Sequence, residues 1–304
     1  RVYTELKPFT GADHGRPGRT QTADLLANAA QRAGCSLWRA DRQEPRPRLH
    51  PRQARALHCA GHGLYAGVHI GADRAGAVGD ADLPAVDRDR TGGGRVPGRG
   101  RRGRKWVSPF AENIYYSLVL RVDGGMRQLE GLSLVVGLAV MQTLRDLGIE
   151  TAGLKWPNDV LVGEKKIAGI LLELVGDPAD VCHVVLGVGI NVNMREAHEV
   201  DQQWTSMLLE AGRAFDRNRL IAHLSGVLRE YLVRHQSEGF SALQAQWERG
   251  HLWQGRSVSL IAGVNRIDGV VMGIDAQGAL RLKVDGVEKV FSGGELSLRL
   301  RDDS

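Results

Sequence analysis

From Asn113 onward the apolar positions of this chain follow two rhythms. Asn113–Val122 (NIYYSLVLRV) is aromatic and β-branched with rough alternation, which predicts a strand. Arg127–Leu147 carries Leu129, Leu132, Val136, Val140, Leu144 and Leu147 at helical spacing, and Gly148 is placed to end that helix. Val160–Val162 and Ile167–Val175 predict strands on either side of a turn at Gly163–Lys165, and His183–Val192 predicts another. Arg217–Ser237 returns to helical spacing through Leu220, Leu224, Val227, Leu228 and Tyr231. This alternation predicts an α+β fold, a mixed sheet covered by helices. Near Gly255 the pattern changes to short strands: Val258–Ile261, Ile267–Met272, Leu280–Val284 and Lys289–Phe291. Turn signals at 263–265, 276–278 and 285–286 separate them, which predicts a small β-barrel of SH3 type.

The first third is different in kind. Residues 1–97 hold 15 Lys+Arg against 10 Asp+Glu, so the whole net charge of +5 sits there, and 98–304 balance at 25 of each sign. Fourteen of those 15 are Arg, with one Lys, one Ile, one Asn and seven of the ten prolines. No sustained periodicity follows Ala33, and Asp24–Ala33 is at most one short helix. An out-of-frame reading of a GC-rich gene yields this excess of Arg, Ala, Gly and Pro and this shortage of Ile, Lys and Asn. We expect it for much of residues 1–97; a natural, disordered basic extension is the alternative. Either way the charge says little about the folded part, and a basic RNA-binding protein, which spreads charge over its fold, is disfavoured. No apolar run approaches the ~20 residues of a membrane span, and the opening RVYTELKPFTG has no signal-peptide core. Cys35, Cys59 and Cys182 lack metal-like or redox-like spacing, as expected of incidental thiols in a reducing cytoplasm.

Two segments carry chemistry. Gly98–Trp106 (GRGRRGRKW) joins backbone that can approach an anion closely to arginines that fork onto phosphate or carboxylate. Lys155–Gly169 (KWPNDVLVGEKKIAG) is a turn with a cation, an aromatic and two polar side chains, followed by a lysine heading an apolar strand. Alone, the Gly/Arg run is a weak signal, since such runs are more often solvated or RNA-binding segments, and the alternative for Asp159 is a turn residue bonding its own backbone. Lys165 rivals Lys166, since adjacent strand residues face opposite ways. Gly187 and Gly189 would otherwise mark a bulge.

Together, and with Gly187-Val188-Gly189-Ile190-Asn191, these segments resemble the biotin protein ligases in order and spacing over roughly residues 98–300. The resemblance implies the ligase fold related to class II aminoacyl-tRNA synthetases, an SH3-like C-terminal module, and ATP-dependent joining of biotin to a lysine of the biotin carboxyl carrier protein of acetyl-CoA carboxylase through biotinyl-adenylate. It implies a ligase domain over 98–252, truncated at its start, and a C-terminal domain over 253–304. It places Lys166 and Arg101 in catalysis. Gly98, Arg99, Gly100, Arg101, Lys166, Gly187 and Gly189 would meet biotin; Arg102, Arg104, Lys105, Trp106, Lys155, Asn158, Asp159 and Asn191 would meet ATP or the adenylate. Asp159 is the candidate Mg2+ ligand. The family's Ser-Thr pair ahead of the loop is missing at its expected place here, and Arg95 and Val96 occupy the region of the family's Gln. Codons permitted for Gly94–Arg99, read one base later, spell Ala-Glu-Tyr-Gln-Ala-Gly, which looks like the family's lead-in. Some members also repress biotin synthesis through an N-terminal helix-turn-helix, which residues 1–97 do not spell; binding of DNA depends on an intact one. A homodimer and a cytoplasmic location are further expectations. Lipoate-type ligases, which share fold and chemistry, and an inactive ligase remnant are the alternatives.

Overall fold

The computed structural model describes residues 58–59, 64–69, 98–99, 105–106, 109, 112–122, 128–176, 182–197, 200, 202–292 and 296–301. In chain order the elements are β1 (His58–Cys59), β2 (Leu64–His69), β3 (Gly98–Arg99), β4 (Lys105–Trp106), β5 (Ile114–Val122), α1 (Leu132–Asp146), β6 (Ala152–Lys155), β7 (Asp159–Val162), β8 (Lys165–Gly176) and β9 (Cys182–Ile190). Then follow α2 (Met207–Ala211), α3 (Arg217–Glu238), α4 (Ser241–Gly250), β10 (Ser257–Ala262), β11 (Asn265–Ile274), β12 (Leu280–Val284), β13 (Val287–Phe291) and β14 (Leu296–Leu300).

Seven strands form the main sheet in the order β1-β2-β5-β9-β8-β7-β6, with every described strand pair antiparallel. This corrects the mixed sheet expected from the alternation of elements. The helix α1 does cross between two strands running the same way, β5 and β6, but β9, β8 and β7 lie between them. The crossover therefore never creates parallel neighbours. The element β2, within the stretch where no strand was expected, adds its backbone to the outer edge of β5, from Leu64↔Leu120 to His69↔Tyr115. An uncovered strand edge is a template for any extended segment that reaches it.

One face of the sheet is packed in the core, and the other is partly covered, with Val119 and Val185 on it buried. Ile114, Tyr116, Ala168, Ile170, Leu186, Val188 and Ile190 are buried in the core with α1 and α3. Their neighbours Tyr115, Ser117, Gly169, Leu171, Gly187 and Gly189 are only partly covered. Helix α1 is buried on nearly all sides, so its apolar positions exceed a single stripe. It starts five residues later than the spacing suggested. Gly131, at φ +65°, cannot continue a right-handed helix, and the Phe240 ring fills the space a side chain there would need. Helix α3 ends where expected, with the Asp216 carboxylate accepting the N–H groups of Asn218 and Arg219 at its start. Unforeseen are β6, whose four residues are all buried and so do not alternate, the one-turn α2, and α4, which buries only Leu243, Trp247 and Gly250.

The last five strands form an antiparallel sheet in the order β13-β12-β11-β10-β14. Among the described residues no pairing of β13 with β14 closes it. Its core (Val258, Leu260, Val271, Leu280, Leu282, Leu298) is continuous with that of the main sheet. Hydrogen bonds also reach it from the turn after β6 and from α4: Trp156 Nε1 donates to Gly278 O at 3.1 Å, Gln244 Nε2 to Ile274 O at 2.7 Å, and Ile274 N–H to the Glu248 carboxylate at 3.0 Å.

Candidate functional site

The KWPND segment is the connection of a hairpin. Lys155 ends β6, Asp159 begins β7, and the two are paired across the strands. Trp156 is fully buried, its peptide bond to Pro157 is cis, and Ser133 at the start of α1 donates to Pro157 O. Asn158 braces the turn against β8: its Nδ2 donates to Ile170 O at 2.7 Å, and its carbonyl accepts Ile170 N–H.

A bulge then sets which lysine faces the site. Across β7 and β8, Asp159 pairs with Gly169 and Val160 with Ala168, but Leu161 pairs with Lys166, so Ile167 is the extra residue. The bulge turns Lys166 to the face carrying Asp159 and Gly169. Lys166 Nζ lies 2.6 Å from Asp159 Oδ1, and Lys155 Nζ lies 3.6 Å from Oδ2. All three side chains are mostly enclosed, at 16, 10 and 14 % exposure for Lys166, Lys155 and Asp159. Lys165 is exposed and lines a separate open hollow of about 770 Å³ with Glu164, Gln203 and Glu210. One carboxylate thus serves two ammonium groups. Burial pulls the Lys155 ammonium below the ordinary lysine range; Asp159 opposes this, while the charges of Arg299 on β14 and of Lys166 reinforce it.

Strand register extends this pair into a floor. One row runs Asp159↔Gly169↔Gly189↔Tyr115 across β7, β8, β9 and β5. The next runs Leu171↔Gly187↔Ser117. Three glycines on the partly covered face leave it flat beside the two cations. A Cβ at Gly187 would meet only Leu171, at 3.7 Å, so packing within the chain does not demand glycine there. Asn191 lies beneath rather than beside this floor: it is buried, and its Nδ2 donates to Thr205 O at 2.9 Å and Lys166 O at 3.4 Å. The segment 203–205 brackets the Lys166 backbone, with Lys166 N–H on Gln203 O and Thr205 N–H on Lys166 O.

Of the Gly/Arg loop, β3 and β4 are a two-rung hairpin that pairs Gly98 with Trp106 and Arg99 with Lys105. Gly100, Arg101, Arg102 and Arg104 lie outside the described residues. Three parts of the site carry no signal in the sequence: Trp253, whose ring centroid is 4.8 Å from Lys155 Nζ, Arg299, and the bracket 203–205. None stands in a recognisable local motif; each reaches the site from a distant segment. Asp159 fits poorly as a protein ligand to Mg2+. Its oxygens already face two ammonium groups, at 2.6 and 3.6 Å.

The model of the biotin/lipoate A/B protein ligase family matches residues 89–191, the stretch containing the loop, the hairpin, β8 and β9. The chain is 46 % identical over 204 residues to the bifunctional ligase/repressor BirA of Escherichia coli, covering 66 % of this chain and 63 % of that protein's length. It is 34 % identical to the biotin–[acetyl-CoA-carboxylase] ligase of Paracoccus denitrificans, covering 66 % of this chain and 85 % of that one. The biotin protein ligase of Aquifex aeolicus, solved in complex with biotin and ATP, superposes with a TM-score of 0.59 at 32 % identity, over 67 % of this chain and 85 % of that one. A glycine-floored antiparallel sheet with paired lysines, and these likenesses, place the chain in the biotin protein ligase family.

Proposed function

We propose that this protein activates biotin with ATP and transfers it to a lysine of a biotin carboxyl carrier protein. The observation that carries this is the row Asp159–Gly169–Gly189–Tyr115, with Lys166 and Lys155 at its end. A flat ureido ring lies on the glycines of β8 and β9. The carboxylate at the end of biotin's side chain then points to Lys166. Two anions, carboxylate and triphosphate, must meet, and two fixed ammonium groups offset their repulsion. The carboxylate oxygen attacks the α-phosphorus, the bond to the pyrophosphate oxygen breaks, and biotinyl-adenylate forms. The carrier's neutral lysine amine then attacks the acyl carbon, AMP leaves with the acyl–oxygen bond electrons, and the amine loses its proton. Lys166 spans carboxylate and α-phosphate; Lys155 faces the phosphates; Asn191 and Asn158 hold the strands that carry them.

In this reading Mg2+ arrives with the nucleotide phosphates. Arg99, Lys105 and Trp106, with Gly98, Gly100, Arg101, Arg102 and Arg104, form the loop that covers the adenylate and limits its loss to water. Residues 98–252 form the ligase domain and 253–304 an SH3-like module, supported by five short antiparallel strands and the bulge between Val271 and Gly273. We assign the protein to the cytoplasm, as a homodimer; no described helix is long and apolar enough to cross a membrane. Repression of transcription, part of the name of the Escherichia coli relative, would need a DNA-binding domain that residues 1–97 do not spell. For much of those residues we keep the out-of-frame reading. The nucleotide sequence upstream of the Gly98 codon tests it: an in-frame Glu-x-Gln lead-in in a shifted frame is expected, and its absence in all three frames would refute it.

The test of function is biotin-dependent exchange of pyrophosphate into ATP. Lys166→Met should lower exchange about 100-fold or more. Exchange driven by lipoate but not biotin would favour the lipoate-type reading, and near-normal exchange in the variant would remove Lys166 from the mechanism.

A further inference from the structure

The aromatic ring over Lys155 comes from the linker joining α4 to β10. That linker is held from both sides. Leu252 N–H donates to Leu154 O at 3.0 Å on the outer edge of β6, Arg256 N–H to Trp253 O, and Gly255 N–H to Val271 O on β11. Trp253 is therefore fixed in place; it is buried, and its ring centroid lies 4.8 Å from Lys155 Nζ, within cation–π range. Asp159 sits closer to Lys166, at 2.6 Å against 3.6 Å, so the carboxylate alone holds Lys155 loosely.

We propose that Trp253 is a positioning residue that holds the Lys155 ammonium in place, dry on one side and aimed at the nucleotide phosphates. This role rests on the ligase reading of the site. The choice of an aromatic partner has a physical reason. A second carboxylate beside Lys155 would cancel the net positive charge of the Lys155–Asp159–Lys166 group and repel the triphosphate. A ring face attracts the ammonium through its quadrupole and adds no net charge. Because Trp253 stands between α4 and the C-terminal sheet, the placement of that sheet sets the placement of Lys155.

The test uses the full chain and ATP alone as the probe. Only seven lysines are present (Lys7, Lys105, Lys155, Lys165, Lys166, Lys283, Lys289), so ¹³Cε-lysine labelling gives a resolvable spectrum, and Lys155→Arg identifies the Lys155 signal. In the parent protein that signal should be shifted upfield by the ring current and should move on addition of ATP. Trp253→Leu should abolish the upfield shift and weaken ATP binding about tenfold, equivalent to about 1.4 kcal/mol. Trp253→Phe, which keeps a ring with a weaker quadrupole and guards against a misfolded Leu variant, should keep the shift and lose about twofold to threefold in affinity. No upfield shift in the parent, or unchanged ATP affinity in a folded Leu variant, would overturn the role of Trp253 while leaving the ligase reading intact. An upfield shift that ATP does not move would overturn the nucleotide reading of the site, and this role with it.

Discussion

Replacing His251 by Leu should remove a specific part of this protein's acid sensitivity. His251 follows α4, and its ring is almost wholly enclosed, tilted 30° against the Trp247 ring with centroids 4.7 Å apart. Among the described residues neither ring nitrogen has a hydrogen-bond partner of ordinary geometry. Burial drives its pKa from 6.5 down to about 4, against a weak opposing pull from the nearby Gln254 amide. The folded protein therefore holds this histidine neutral, whereas the unfolded chain protonates it near 6.5. The stability tied to this difference is fully present above pH 6.5, declines as the pH falls toward 4, and falls no further below that. The limiting loss is about 3 kcal/mol. At pH 5 the unfolded chain has gained its proton and the folded one mostly has not, so about 2 kcal/mol is already gone.

Urea unfolding at pH 7.5 and pH 5.0 measures this directly. The parent protein should lose about 2 kcal/mol more than His251→Leu between the two conditions. Carboxylates elsewhere, and His235, which burial also lowers, act on both proteins and cancel in the difference. At pH 7.5 the variant should be as stable as the parent or more so, because a buried imidazole whose nitrogens lack a hydrogen bond of ordinary geometry is gone. An equal fall in both proteins would refute the reasoning, and would mean that the ring finds a partner or water. Function should follow the same curve, since His251 bridges to Leu154 immediately before Lys155.

Two further outcomes are expected. Gly187→Ala should leave stability unchanged or raise it by up to about 1 kcal/mol, since a Cβ there meets only Leu171 at ordinary contact distance. The Michaelis constant for biotin should nevertheless rise about tenfold or more, a loss of about 1.4 kcal/mol, as the methyl group occupies the ring's floor; an unchanged constant would move biotin off this part of the sheet. Asp159→Asn should destabilise the fold by about 3 kcal/mol, because two enclosed ammonium groups lose their shared counter-charge, and should push Lys155 further below the ordinary lysine range. Thermal melts at pH 7 and pH 9 check it: the deficit should shrink as rising pH neutralises the unpaired lysine.

The elements that could be read from the sequence were those whose pattern is their own. The strand at 114–122 shows a rough alternation because over 114–118 one face meets the core and the other is only partly covered, and α3 announces itself by an apolar stripe. β6 and α1 fit their patterns less well because both are covered on more than one side. The site divides in the same way. Lys155, Asp159 and Lys166 were legible as a motif, and the bulge at Ile167 explains why Lys166 rather than Lys165 turns inward. The glycine floor was not legible as a surface, since its row joins positions 115, 159, 169 and 189 only through register. Asn191 has the look of a ligand in a Gly-Ile-Asn strand end, yet its amide bonds are made to backbone under Lys166. Trp253 is almost a hundred residues from Lys155 and carries no signal in its own neighbourhood. What such long-range contacts share is that they adjust the charge and place of a motif residue without belonging to the motif. Chemistry is therefore read most surely from local spacing, and its tuning from the register and linkers that spacing does not encode.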